Sequence, residues 1–240
     1  QSHEDWLLDR SGYISEIKDA GNRLIMTNGL ITRTFSLKPD GATIGFHNNI
    51  INKELLRSVK PEAVITVDGT PVKIGGLTGQ PVNNYLTEEW IESMKPDTLS
   101  PFSLRGYITG EILPRFEWKK RPEWMPVDLP WPPKGKSIAF TYSARKVNSS
   151  ATGIEVIVNY EIYDGIPLIS KWFTVNNNSG REIMINSYKS EILAFAESES
   201  AVGDKKNWIM PDVYVETDYA FGGSMSSESC FEKSVWWVPD

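Results

Sequence analysis

The sequence predicts an all-β antiparallel sandwich or barrel, interrupted by one long loop rich in proline and tryptophan. Three observations carry that expectation. Short β-rich runs are separated by compact clusters of Asn, Asp, Gly and Ser, one clear hairpin turn stands between two of them, and no strand–helix–strand rhythm appears. Doubly wound and (β/α)₈ readings fail on the last point. The chain is read as one domain, residues 1–240, formed by the N-terminal part of a longer protein.

The elements follow in order. Gly12 to Lys18 and Arg23 to Thr27 flank the turn Asp19-Ala20-Gly21-Asn22. Leu30 to Leu37 alternates Ile31, Arg33, Phe35 and Leu37 against Thr32, Thr34 and Ser36, the period of a strand with one better-buried face. Lys38-Pro39-Asp40-Gly41 reads as a turn in which Pro presets φ and Gly is free to take φ > 0. Asp68-Gly69, between Ala63 to Val67 and Thr70 to Ile74, favours a type I′ hairpin. Thr87 to Met94 is the one helical candidate, opened by Thr87-Glu88-Glu89. Further strands are expected over Ser137 to Ala144, Ile154 to Tyr163, Leu168 to Val175, Glu182 to Ala196 and Val213 to Thr217. Ser198 to Asn207 is a polar, exposed connection.

Pro114 to Pro133 breaks the pattern. Prolines at 114, 122, 126, 130, 132 and 133 cannot donate to a ladder, so the segment is a loop or an edge excursion. It carries Phe116, Trp118, Trp124 and Trp131, with Glu117, Lys119 and Arg121 beside them. Indole faces attract the C–H faces of sugars and lose little entropy on binding, so Trp118, Trp124 and Trp131 form the candidate carbohydrate platform. The competing reading is that these rings seal the loop onto the sandwich or meet another subunit.

Composition narrows the chemistry. Lys and Arg number 25 against 31 Asp and Glu, a net charge of −6, which argues against a nucleic-acid partner. No apolar run reaches the roughly 18–20 residues of a membrane span. The single Cys230 excludes an intramolecular disulfide and a multi-Cys zinc site. With only His3 and His47, and no HxH or HExxH spacing, no zinc-type metal site and no cofactor is expected; a Ca²⁺ ion held by carbonyls and acids stays open. Glu155 with Glu161, and Glu216 with Asp218, are acid pairs of even spacing, each sharing one strand face. Such pairs are common among 31 acids, and solvated strand faces explain them as well as glycosidase carboxylates do. Gly75-Gly76 and Gly222-Gly223 open no helix and are not phosphate loops. Asn148-Ser-Ser and Asn177-Asn-Ser match the glycosylation sequon, which has meaning only in a eukaryotic source.

Seven stretches, in this order, carry a resemblance: Asn28-Gly-Leu-Ile-Thr-Arg-Thr-Phe35, Lys53-Glu-Leu-Leu-Arg57, Pro61-Glu-Ala63, Ile74-Gly-Gly-Leu-Thr-Gly-Gln-Pro81, Trp131-Pro-Pro133, Tyr160 to Trp172, and Glu216 to Gly223. Together they resemble the N-terminal domain of bacterial alpha-galactosidase-like glycoside hydrolases of the family 36 type, from about Tyr13 to Gly223. The resemblance implies a galactose mutarotase-like supersandwich of two large antiparallel sheets preceding a (β/α)₈ barrel. It also implies that the barrel carries the nucleophile and the acid/base, so no catalytic residue carries over to this chain. The partners implied are the chain's own C-terminal catalytic domain, a carbohydrate and a second copy in a homo-oligomer. Aldose 1-epimerases share the fold, but their His and Glu are not supplied by His3 and His47. The apolar Val235-Trp-Trp-Val238 fits a chain about to enter a barrel. The start at Gln1 and the lineage together suggest a periplasmic or extracellular location. A free-standing carbohydrate-binding module and a protein-interaction domain are the alternatives.

Overall fold

A computed structural model describes residues 5–81, 86–119, 121, 123, 130–145, 151–195, 213–217 and 220–224. Every strand pairing among them is antiparallel. The first sheet is a meander of β1 (Glu16–Asp19), β2 (Arg23–Thr27), β3 (Ile31–Ser36), β4 (Ala42–Asn48) and β5 (Lys53–Glu54). Short strands follow: β6 (Leu56–Ser58), the hairpin β7 (Ala63–Val67) with β8 (Thr70–Ile74), and β9 (Leu77–Thr78). After the helix α1 (Glu88–Ser93) and β10 (Lys95–Pro96) come the long strands β11 (Phe102–Glu111), β12 (Gly135–Ala144), β13 (Ile154–Tyr163) and β14 (Ile169–Asn177). These four form the second large sheet. β15 (Ile185–Lys189) joins β7, β16 (Ala194–Phe195) joins β6, and β17 (Tyr214–Thr217) pairs with β18 (Ala220–Ser224).

The two larger sheets pack face to face. Leu24, Met26 and Phe35 of the first meet Phe140, Val158 and Tyr160 of the second in one core, closed at the side by Ile65 and Ile74. The Phe35 ring lies 5.0 Å from Phe140 and 4.8 Å from Tyr160, which places the mid-plane of the sandwich between them. Asn28 ties the sheets at one end. Its Oδ1 accepts from the backbone of Leu30 and Ile31, and its Nδ2 donates to the carbonyls of Tyr163 and Ile166, both at 2.7 Å.

Most predicted elements appear where the residues place them. Asp68 and Gly69 adopt φ 49° and 77°, as a type I′ turn requires. Thr87 caps α1 by accepting from Trp90 N. Three expectations need correction, and one strand is unpredicted. At the Lys38–Gly41 turn no positive φ occurs; Gly41 is instead required by crowding, since a Cβ there would collide with Tyr142 Oη. The first strand begins only at Glu16, since Tyr13 and Ser15 bond instead to the turn after β13. The run Glu182 to Ala196 is two short strands, because the chain bends between Lys189 and Ala194 and turns Glu191 inward. Finally, β11 is a ten-residue strand that alternation fails to disclose. Its register slips between Leu104 and Gly106, so Phe102 and Leu104 face the core before the bulge and Tyr107 after it.

Ser198 to Asn207, Trp124, Arg121's neighbours Lys120 and Pro122, Asp218, Cys230, His3, the Asn148 sequon and the 235–238 run lie outside the described residues. Among the described residues no helix is long and apolar enough to cross a membrane, and no group of three or more His, Cys, Asp or Glu side chains is placed to hold a metal ion.

Candidate functional site

The loop between β11 and β12 leaves the sheet after Ile112, whose side chain is buried, and returns through Trp131, Pro132 and Pro133. Where described, it contains no strand, as its prolines predict. Its two arms meet through aromatic rings. The Trp118 and Trp131 rings lie 4.8 Å apart at 43°, and Phe116 lies 5.3 Å from Trp131 at 46°. These are tilted contacts of the kind aromatic quadrupoles favour. Of the three predicted platform residues, the structure thus brings Trp118 and Trp131 together; Trp124 lies outside the described residues.

The rings line an open cleft of about 580 Å³ with Pro114, Arg115, Glu117 and Lys119. Trp131 remains 38% exposed and Phe116 56%, so apolar ring surface faces solvent beside charged groups. Exposed aromatic faces edged by hydrogen-bonding side chains can accept the apolar face of a pyranose while its hydroxyls meet the rim.

Beneath the loop, Glu161, marked in the sequence only as half of an acid pair, gathers Tyr163, Ser170 and Arg115, none of which the sequence marked. On β13, Glu161 points away from the core, opposite Ser137 on β12 and Ser170 on β14, yet it is buried. Tyr163 Oη donates to Glu161 Oε2 at 2.7 Å and lies 2.8 Å from Ser170 Oγ. Burial, with the Glu161 carboxylate beside it, pushes the Tyr163 hydroxyl up to about 12. Arg115 reaches down from the loop: Nη2 is 3.6 Å from Glu161 Oε2, and its guanidinium sits 4.0 Å from the ring centre of Trp172. The partners are separated by 46 and 57 residues in sequence, so no local spacing could have revealed them. The one available hint was a cation standing next to the aromatic run.

Glu155 and Glu161 do share one face of β13, as their even spacing predicts, but six residues of extended chain separate them by about 20 Å. That exceeds the 5–10 Å needed to flank one glycosidic bond. Glu155 accepts from Asn176 Nδ2 at 3.1 Å, a cross-strand contact. Glu216 lies on β17, and its partner Asp218 is outside the described residues. His47, near the end of β4, bonds to Asn52 Oδ1 at 3.2 Å. Asn177 of the second sequon is turned into a local bend, donating to the Arg181 carbonyl and accepting from Ser179.

A second charged group lies inside the sandwich. Arg33 occupies the apolar face of β3 between Ile31 and Phe35 and is 2% exposed. A buried guanidinium requires its donors to be satisfied. Glu191 receives it in a fork, Nη1 to Oε2 at 2.6 Å and Nη2 to Oε1 at 3.2 Å. Thr43 accepts from Nε at 3.0 Å and from Nη2 at 2.7 Å. Thr43 faces this way because β4 carries an extra residue opposite Thr34 and Phe35, which puts Thr43 directly across from Phe35. Tyr160 accepts from Arg33 and donates to buried Glu62. Lys171, facing Tyr160 across the β13–β14 ladder, lies 2.9 Å from Glu191 Oε1 and 3.5 Å from Glu62 Oε2. Burial would raise the Glu191 carboxyl, but Arg33 and Lys171 together override it and hold the group at about 2. Among the described residues, the two cations of this cluster are directed at its two carboxylates. We read it as an internal fastening of β3, β4, β13, β14 and the bend before β16.

No protein-family model matches the chain, and no match is found among curated proteins.

Proposed function

We propose that this chain is a non-catalytic β-sandwich domain of an alpha-galactosidase-like glycoside hydrolase, and that its contact with glycan is the Trp118–Trp131 cleft. The near full-length resemblance described above supports the lineage, and the antiparallel sandwich is compatible with a galactose mutarotase-like arrangement. The single observation that carries the binding role is the paired indoles opening to solvent beside Arg115, Glu117 and Lys119. The 20 Å separation of Glu155 and Glu161 favours a supporting role over a hydrolytic one.

Two measurements test the proposal. The purified chain is assayed on an aryl alpha-galactoside, where no turnover is expected; turnover that tracks with the protein sinks the non-catalytic reading. It is then titrated with methyl alpha-galactoside, following tryptophan fluorescence. Saturable binding that disappears in W118A/W131A supports the cleft, and equal affinity in that variant refutes it. A protein-interaction role is the alternative favoured by one observation, the exposure of Leu113 and Phe116 at the rim of the same cleft. It predicts self-association, seen by sedimentation, that F116S abolishes.

A further inference from the structure

Among the described residues, the arm that carries Phe116 and Trp118 departs from the sheet with most of its side chains exposed. Leu113, Pro114, Phe116 and Glu117 are all exposed, and the arm's ring contacts run to Trp131 on the other arm of the same loop. Its contact with the sheet runs through Arg115. One face of that guanidinium covers Trp172, and its charge meets Glu161. Glu161 is in turn fixed from the opposite side by Tyr163, which Ser170 also contacts. A carboxylate buried on the outer face of a sheet is costly unless a cation answers it. Here the answering cation comes from the loop.

We infer that Arg115 is a positioning residue: clamped between Glu161 and Trp172, it fixes the 113–119 arm on the β13–β14 surface and so holds Trp118 against Trp131. The inference rests on the glycan-binding reading only for its consequence in affinity; the clamp itself is a statement about ring geometry. Binding of a flat sugar face depends on the two indoles being pre-set, because ordering them during binding would subtract from affinity. Arg115 therefore governs affinity through the indoles, with its own guanidinium already committed. Lysine is a poor substitute, since its ammonium cannot lay a planar face on Trp172 while approaching Glu161.

The test uses the full chain and a readout independent of sugar. Two indoles 4.8 Å apart couple excitonically, giving a paired band in the far-ultraviolet circular dichroism that W131F removes and thereby identifies. Arg115→Met should erase this band and also lower the unfolding midpoint, because it leaves the buried Glu161 carboxylate unanswered; adding Glu161→Gln should recover the midpoint without recovering the band. It should also weaken methyl alpha-galactoside binding about fivefold, the loss expected for one partly exposed cation–π contact. Arg115→Lys should restore the band only in part, and Glu161→Gln should weaken it from the sheet side. A band unchanged in Arg115→Met overturns the clamp, whatever the affinity does. An unchanged band with lost affinity shows Arg115 to be a direct ligand, which also overturns it. If wild type binds no sugar while Arg115→Met erases the band, the clamp stands and the glycan reading falls.

Discussion

Arg33 offers the sharpest quantitative test of how this sandwich is fastened. Replacing it with Met preserves the aliphatic stem but removes the forked pair of bonds to Glu191, both bonds to Thr43 and one to Tyr160. The interior changes from two cations and two carboxylates to one cation, Lys171, facing Glu62 and Glu191. Charge-assisted hydrogen bonds contribute about 1.5–3 kcal/mol each. Two of them, discounted because a third of the Glu191 side chain meets solvent, give about 3–5 kcal/mol. That range agrees with the usual penalty for removing one member of a buried ion pair. Glu191→Gln should cost clearly less, since it retains hydrogen-bonding capacity and sits at the edge. In the Arg33→Met background it should cost nothing or even restore stability, as it deletes the unanswered charge; the expected coupling is about 1–3 kcal/mol. Urea unfolding followed by tryptophan fluorescence, with the slope checked for constancy, measures all four corners of the cycle. Arg33→Met within about 1 kcal/mol of wild type, or additivity with Glu191→Gln, would refute the argument.

Three further outcomes are expected. The Glu191 carboxyl is held at about 2 against an ordinary 4.5, so its contribution is complete above pH 4.5 and is lost as the pH falls toward 2. Melting temperatures of wild type and Glu191→Gln should therefore differ at pH 6 and converge near pH 2. Burial pushes Tyr163 to about 12 and Tyr142 and Tyr160 well above the ordinary phenol value. Absorbance titration at 295 nm should accordingly leave at least three of the nine tyrosines protonated at pH 11 in the folded protein. Complete ionisation by then without unfolding contradicts their burial. Gly75 has φ +60° and a backbone carbonyl, that of Gly41, where a Cβ would stand. Gly75→Ala should destabilise by more than about 1–2 kcal/mol in thermal melts, the left-handed penalty alone.

Local chemistry was readable wherever the cause lay within a few residues. Asp68-Gly69, the Thr87 cap and the alternation of β3 all depend on near neighbours. Reading failed where register shifted: the bulge at Arg105 throws Tyr107 onto the face that Phe102 and Leu104 had used, so a period-two scan of β11 finds no face. It failed again where partners are remote. The alternation put Arg33 on the apolar face, but nothing near it disclosed that Glu191, 158 residues away, would meet it. The loop's aromatic character was plain in the sequence, whereas its clamp, Arg115 on Glu161 and Trp172, exists only once β13 and β14 are paired.

The contact of Phe35 with Phe140 and Tyr160 has a consequence for synthesis on the ribosome. Chain elongation at about 5–20 residues per second separates these rings by roughly 5–25 seconds. Throughout that interval the first meander can form its hairpins while the face bearing Leu24, Met26, Phe35 and the charged Arg33 has nothing opposite it. A nascent chain in this condition exposes apolar surface and unpaired strand edges, the features that make partly folded chains prone to aggregate. Arg33 lies in the middle of that waiting face, and its charge keeps the unmatched strand from being uniformly adhesive until Glu191 emerges to receive it.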